Sequence, residues 1–222
     1  MKKLFYLTVA LTTATFAQAQ LTEKKVVKAG DIVADAISEN GAFRYRQFTE
    51  GNFQLRDGTK NSARFNYHYI SGEMLYLNTK GDTMALAMPE LVDYIAIGES
   101  KFIYENRAFH EILLSTPSAS LAKKIKIHIE NEKTGGYGSS APSSSQDQLR
   151  NVNYSSNFYQ LSYDVAVIKT TSFYWIDTKK SLQPATRRNA LRIVSKDKQP
   201  QLEAFIEENK TNFNREDDLR KL

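Results

Sequence analysis

The chain has 222 residues, of which 41% are apolar, 11% aromatic and 25% charged, with a formal net charge of +5. That length suits one domain, and that composition excludes a disordered chain. There is no cysteine and there are only three histidines, so disulfides, thiolate metal sites and cysteine nucleophiles are excluded and general bases are scarce.

Met1-Lys2-Lys3 opens the chain, a mostly apolar run follows from Leu4 to Phe16, and Ala17-Gln18-Ala19 ends it. A basic start, a short apolar stretch and an A-x-A end are the parts of a secretory signal peptide, expected over residues 1–19. Thr12, Thr13 and Thr15 interrupt the run, which falls short of the roughly 20 apolar residues of a membrane span. No lipid anchor on an N-terminal cysteine is possible, so the expected product is exported, periplasmic or extracellular, without a membrane anchor of its own. Loss of Lys2 and Lys3 leaves 28 basic against 25 acidic side chains, a net +3. Residues 179–222 hold 11 basic and 7 acidic side chains, so the tail is mildly basic and the body neutral. A nucleic-acid binder needs a concentrated basic stripe with interleaved aromatics, and none is present; no nucleic-acid partner is expected.

Residues 20–222 read as a single β-rich domain. Val33, Ala36 and Ile37 suit a short helix before Gly41. From Phe43 to Leu114 the apolar period is two, with turns about every ten residues. Phe53 and Leu55 alternate with polar neighbours before Asp57-Gly58. Phe65, Tyr67 and Tyr69 share a face before Ser71-Gly72. Met74–Leu77 and Thr83–Met88 flank a turn at Thr79–Asp82, and Pro89, which has no backbone donor, ends that ladder. Val92–Ile97, Lys101–Tyr104, Phe109–Leu114 and Lys123–Ile129 continue the series. Residues 134–148, rich in Gly and Ser, read as a flexible loop. Phe158–Ile168 and Ser172–Ile176 read as two further strands. A helical cap over 184–222 is expected, its helices started by Pro184, by Asp197 and by Asn214. The fold class is therefore mainly β: an antiparallel meander, barrel or sandwich-like, with a small α-helical C-terminal segment.

The run Phe53-x-Leu55-x-Asp57-Gly58, Phe65-Asn66-Tyr67, Gly72-Glu73-Met74, Gly81-Asp82-Thr83 and Ile95-x-Ile97-Gly98 resembles an uncharacterised family of exported, β-rich proteins of Gram-negative bacteria. The Gly136-Tyr137-Gly138-Ser139-Ser140 loop and Phe205-Ile206-x-x-Asn209-Lys210 are also similar to it. The resemblance implies export and a β-rich body, and transfers no catalytic residue.

Chemistry-bearing motifs are few. His68, His110 and His128 fall on polar strand positions, read as solvated, and no two have the spacing that aims a pair of imidazoles at one metal. There is no G-x-S-x-G elbow, no P-loop and no dinucleotide fingerprint. Neither a metal nor a cofactor is expected, and no catalytic residue is assigned. The aromatics are the more suggestive feature, since tyrosine and tryptophan stack sugars or anchor partners. Tyr67, Tyr69, Tyr159 and Trp175 are the binding candidates, although cross-strand packing uses the same residues at the same period. The expected role is a non-catalytic interaction or binding module of the cell envelope, with a protein or glycan partner. A sugar- or lipid-binding protein with an aromatic-lined cavity is the alternative, and a hydrolase assembled from distant residues the second.

Overall fold

The computed structural model describes residues 19–131 and 163–222. Eleven strands run in chain order: β1 (Gln20–Val27), β2 (Thr49–Leu55), β3 (Lys60–His68), β4 (Glu73–Leu77), β5 (Thr83–Ala85), β6 (Val92–Ile97), β7 (Ser100–Glu105), β8 (Ala108–Ser115), β9 (Ala119–Asn131), β10 (Val165–Asp177) and β11 (Leu182–Pro184). Three α-helices follow: α1 (Arg187–Ile193), α2 (Gln199–Glu208) and α3 (Glu216–Leu219). All the strands pair antiparallel in one sheet of order β1-β10-β9-β8-β7-β6-β2-β3-β4-β5, and β11 pairs β10 beyond the end of β1. The fold is mainly β with a small helical C-terminus, as the strand periodicity requires.

The sheet is not closed into a barrel: β1 and β5 remain its two ends. It does coil. Tyr67 of β3 stacks on Phe102 of β7 at 6.0 Å and meets Phe109 of β8 at 6.3 Å, although β2 and β6 lie between these strands in the sheet. One side of the sheet thus folds onto itself and buries Phe65, Met74, Ile95, Ile97, Phe102, Ile127, Ile129, Val165 and Val167 in a first apolar cluster. Each such side chain contributes about 1.5–3 kcal/mol on burial. A second cluster lies further along the same face, where Leu121, Phe173 and Trp175 meet Ala19, Ala190 and Leu219. The helices supply its far wall, because a sheet end that cannot fold onto itself needs another layer to cover it.

Local chemistry explains most boundaries. Asn106 and Arg107 have φ of 50° and 59°, the pair of left-handed residues that a two-residue hairpin between β7 and β8 demands. Thr186 caps α1, its hydroxyl accepting from the Asn189 N–H at 3.3 Å. Pro184 is the last residue of β11 rather than the start of that helix. α2 begins one residue later than expected, with Lys198 in the cap position and Pro200 in the first turn. Asn214 does not cap α3; Arg215 holds that position, and the Asn214 side chain instead accepts the Gln20 N–H at 2.8 Å.

Two strand expectations change, and one strand was not expected. β1 carries no periodic signal, since seven of its eight residues are exposed; it is an edge strand held by the backbone ladder to β10 and guarded by Glu23, Lys24 and Lys25. Residues 165–177 form one strand, β10, rather than two. The polar stretch Lys169-Thr170-Thr171 that suggested a break lies where β10 passes between the two apolar clusters. The Thr83–Met88 run supports only the three residues of β5. The expected loop at 134–148 and the start of the Phe158–Ile168 strand lie outside the described residues.

Gly51 in β2 is the tightest backbone approach. A Cβ there meets the Ala96 carbonyl oxygen at 2.6 Å, and Phe65 and Ile97 carbons at 3.1 Å. Gly51→Ala is therefore expected to destabilise by about 1–3 kcal/mol through overpacking, lowering Tm by roughly 2–4 °C per kcal/mol. Thermal denaturation followed by circular dichroism checks this; an unchanged Tm means the coil of the sheet is looser than described.

Candidate functional site

Two places gather aromatic and polar side chains on the inner face: the boundary between the two apolar clusters, and the outer end of the second one.

At the boundary, Glu111 of β8 and Lys123 of β9 are cross-strand partners. Glu111 accepts from Arg44 at 3.1 Å and from the Ser100 hydroxyl at 3.1 Å, and lies 3.5 Å from the Lys123 ammonium. Lys123 also reaches Glu216 of α3 at 3.2 Å. Arg220 holds the same Glu216 at 2.7 Å and donates to the Leu113 carbonyl at 2.6 Å. Burial pushes the Glu216 carboxyl up, but hydrogen bonds from Arg220 and Lys123 outweigh it, so its pKa lies below the ordinary value. The result is a chain of alternating charges from Arg44, through the sheet, to α3.

Tyr67 and Tyr69 stand beside this chain. They are 6% and 9% exposed, and their rings meet edge to face at 5.6 Å. Burial pushes both phenols up, that of Tyr69 to about 12. The void they share with Arg44, Glu111 and Lys123 has a volume of about 10 Å³, at the lower limit for one water. Neither ring therefore offers a face to a sugar or a partner. Tyr159 lies outside the described residues.

Trp175 is placed differently. It lines a cleft of about 110 Å³ between the sheet and the helices, with Leu114, Leu121, Ala190, Ile193, Val194, Leu202, Leu219 and Leu222 as apolar walls. Thr116, Ser118 and Ser120 stand at the β8–β9 turn beside it. No Asp, Glu, Lys, Arg or His contributes a side chain to this lining. The turn hydroxyls are already engaged: Thr116 donates to the Ala119 carbonyl at 2.9 Å and Ser115 pairs with Ser120 at 2.9 Å. The Trp175 indole N–H is buried and finds no acceptor among the described residues. A buried donor left unsatisfied costs about 1–3 kcal/mol, and this one is shielded from the solvent that enters the cleft.

A larger depression of about 490 Å³ lies beside β1, lined by Lys25, Asp31, Asp35 and their neighbours. Its charged side chains are all exposed to solvent.

The histidines correct the sequence reading. His128 is exposed, but His68 and His110 are 4% and 1% exposed. The Nδ1 of His68 accepts the Ser71 N–H at 3.2 Å, and its ring packs on Phe43. His110 lies edge-on to Tyr174 at 5.0 Å, its Nδ1 3.1 Å from the Ala108 carbonyl. Burial lowers the pKa of each to about 4. Among the described residues no group of three His, Asp or Glu side chains converges to hold a metal.

Comparison of the chain with family models, with curated proteins and with solved structures yields no match. The helix–sheet cleft was not visible in the sequence, because its walls come from segments 114–121, 175 and 190–222.

Between pH 6.5 and 4 the unfolded chain protonates His68 and His110 while the folded chain does not. Stability is then lost as pH falls through this window, by at most about 3 kcal/mol for each histidine. A Tm series from pH 7 to 4 is expected to slope downward, and His110→Phe to flatten it; identical slopes in both proteins contradict the burial. Glu111→Gln leaves Arg44 and Lys123 facing each other without their carboxylate, a loss on the order of 3 kcal/mol that urea denaturation measures.

Proposed function

We propose that this protein is an exported, non-catalytic binding module of the cell envelope, and that its binding surface is the cleft lined by Trp175. One observation carries this reading: the cleft has no charged side chain in its lining. It can bury apolar surface, but it contains no acid, base or activated nucleophile, which hydrolysis requires. The same composition argues against sugar as the ligand, since a sugar's hydroxyls need several polar partners in the wall. An apolar wall with a few hydroxyls at its rim, here Thr116, Ser118 and Ser120, is the pattern of a binding pocket.

Support for export comes from the Lys2-Lys3 start, the apolar run and the A-x-A at Ala17–Ala19, and from the resemblance to exported β-rich proteins. Among the described residues no helix is long and apolar enough to cross a membrane, so attachment to the envelope falls to a partner.

Leu114 borders the cleft and is 41% exposed. A photo-cross-linking residue placed there is expected to capture one envelope partner in stoichiometric yield in intact cells. The same residue at His128, exposed on the opposite face, is expected to capture none. Equal capture at both positions, or none at either, argues against the binding module. N-terminal sequencing that finds Met1 intact in the cytoplasm sinks the export reading.

A further inference from the structure

We propose that the peptide bond between Ala19 and Gln20 is a processing site that folding seals, so that the signal peptide is cut off before the helical layer closes or not at all. The inference rests on the export reading and adds the stage at which the cut is possible.

A peptidase that hydrolyses this bond needs three things from it. The Ala19 methyl must enter a pocket of the enzyme. The Ala19 carbonyl oxygen must reach the enzyme's oxyanion donors as charge develops on it. The Gln20 nitrogen must meet a general acid, which protonates it as the C–N bond breaks. One water is consumed, leaving a carboxylate on Ala19 and an amine on Gln20.

In the folded chain each of the three is already engaged. Ala19 is 3% exposed and packs with Leu121, Phe173, Trp175, Ala190 and Leu219. Its carbonyl oxygen accepts the Phe173 N–H at 3.0 Å, which carries the β1–β10 ladder one step beyond the Gln20–Ser172 pair. The Gln20 N–H donates to the Asn214 side-chain oxygen at 2.8 Å. The protein's own sheet and helices thus hold the groups that an enzyme must hold instead, and neither can have them while the other does.

The contacts that seal the bond come from far along the chain. Phe173 lies on β10, Ala190 on α1 and Leu219 on α3, and the Gln20–Asn214 bond spans 194 residues. Until those segments arrive, the bond lacks all three contacts. Asn214 also receives the cut end: the amine released at Gln20 is largely protonated at neutral pH, and a charged donor bonds that amide oxygen more strongly than a peptide N–H.

Order of addition tests this. The full chain, purified uncut and unfolded in urea, is diluted into signal peptidase in non-ionic detergent, either directly or after refolding confirmed by circular dichroism. Direct dilution is expected to yield a product whose first residue is Gln20 by N-terminal sequencing. Refolding first should slow that cut at least tenfold. Asn214→Ala combined with Leu219→Ala, which loosens the helical layer over Ala19, should restore the cut of the refolded chain. Equal rates for wild type in either order overturn the sealing and leave the export reading standing. Cleavage only behind Ala17 keeps Ala19 in the product and overturns the site. No cut in either order removes the export reading together with this proposal.

Discussion

The structure turns on one partly buried carboxylate. Glu111 lies on the inner face of β8, two residues from Phe109 of the first apolar cluster and across from Lys123, whose own neighbour Leu121 belongs to the second. A carboxylate in such a place is tolerable only when cations compensate it, and Arg44 and Lys123 approach it from two sides. Because Lys123 also pairs with Glu216, and Glu216 with Arg220, the compensation extends outward until it reaches the helical layer. Leu219 buries α3 against the second cluster, and the chain of charges meets the helix beside it.

This polar belt divides the inner face by chemistry. On one side the sheet buries itself by coiling, with Gly51 clearing the space that Phe65 and Ile97 fill. On the other side the sheet is too short of partners and needs the helices. A helical layer meeting a sheet over a few apolar side chains packs less completely than strand against strand, and the cleft at Trp175 is the gap that remains. The tight cluster and the cleft are thus two outcomes of one division.

The strands with a clean period of two were legible in the sequence, because one face of each is buried and the other wet; Val92–Ile97 is the plainest case. β1 was not, because an edge strand with seven exposed residues leaves no hydrophobic trace. β10 was misread as two strands because Lys169 and Thr171 separate its first-cluster residues from Phe173 and Trp175 of the second, and a strand's sequence does not distinguish such a polar interval from a turn. His68 and His110 looked solvated because each alternates with apolar neighbours, yet aromatic rings from Phe43 and Tyr174 cover them. Of the aromatic candidates, Tyr67 and Tyr69 proved to be packing residues and Trp175 a cleft wall; alternation marks all three alike, and only the coil of the sheet separates them.

The second cluster has a kinetic property that the middle strands of the first lack. Its members include Ala19, where the described chain begins, and Leu219, three residues from the end, and the Gln20–Asn214 hydrogen bond joins positions 194 residues apart. Contacts of such separation form late, since the loop they close must be paid for first in entropy. The helical layer therefore cannot be completed until residue 219 has emerged, whereas the β2–β9 hairpins of the first cluster form from neighbours in sequence and only its β1–β10 edge, with Val27 opposite Val165, waits as long. During synthesis, β1 and the helical layer therefore wait on each other while the middle strands can already pair.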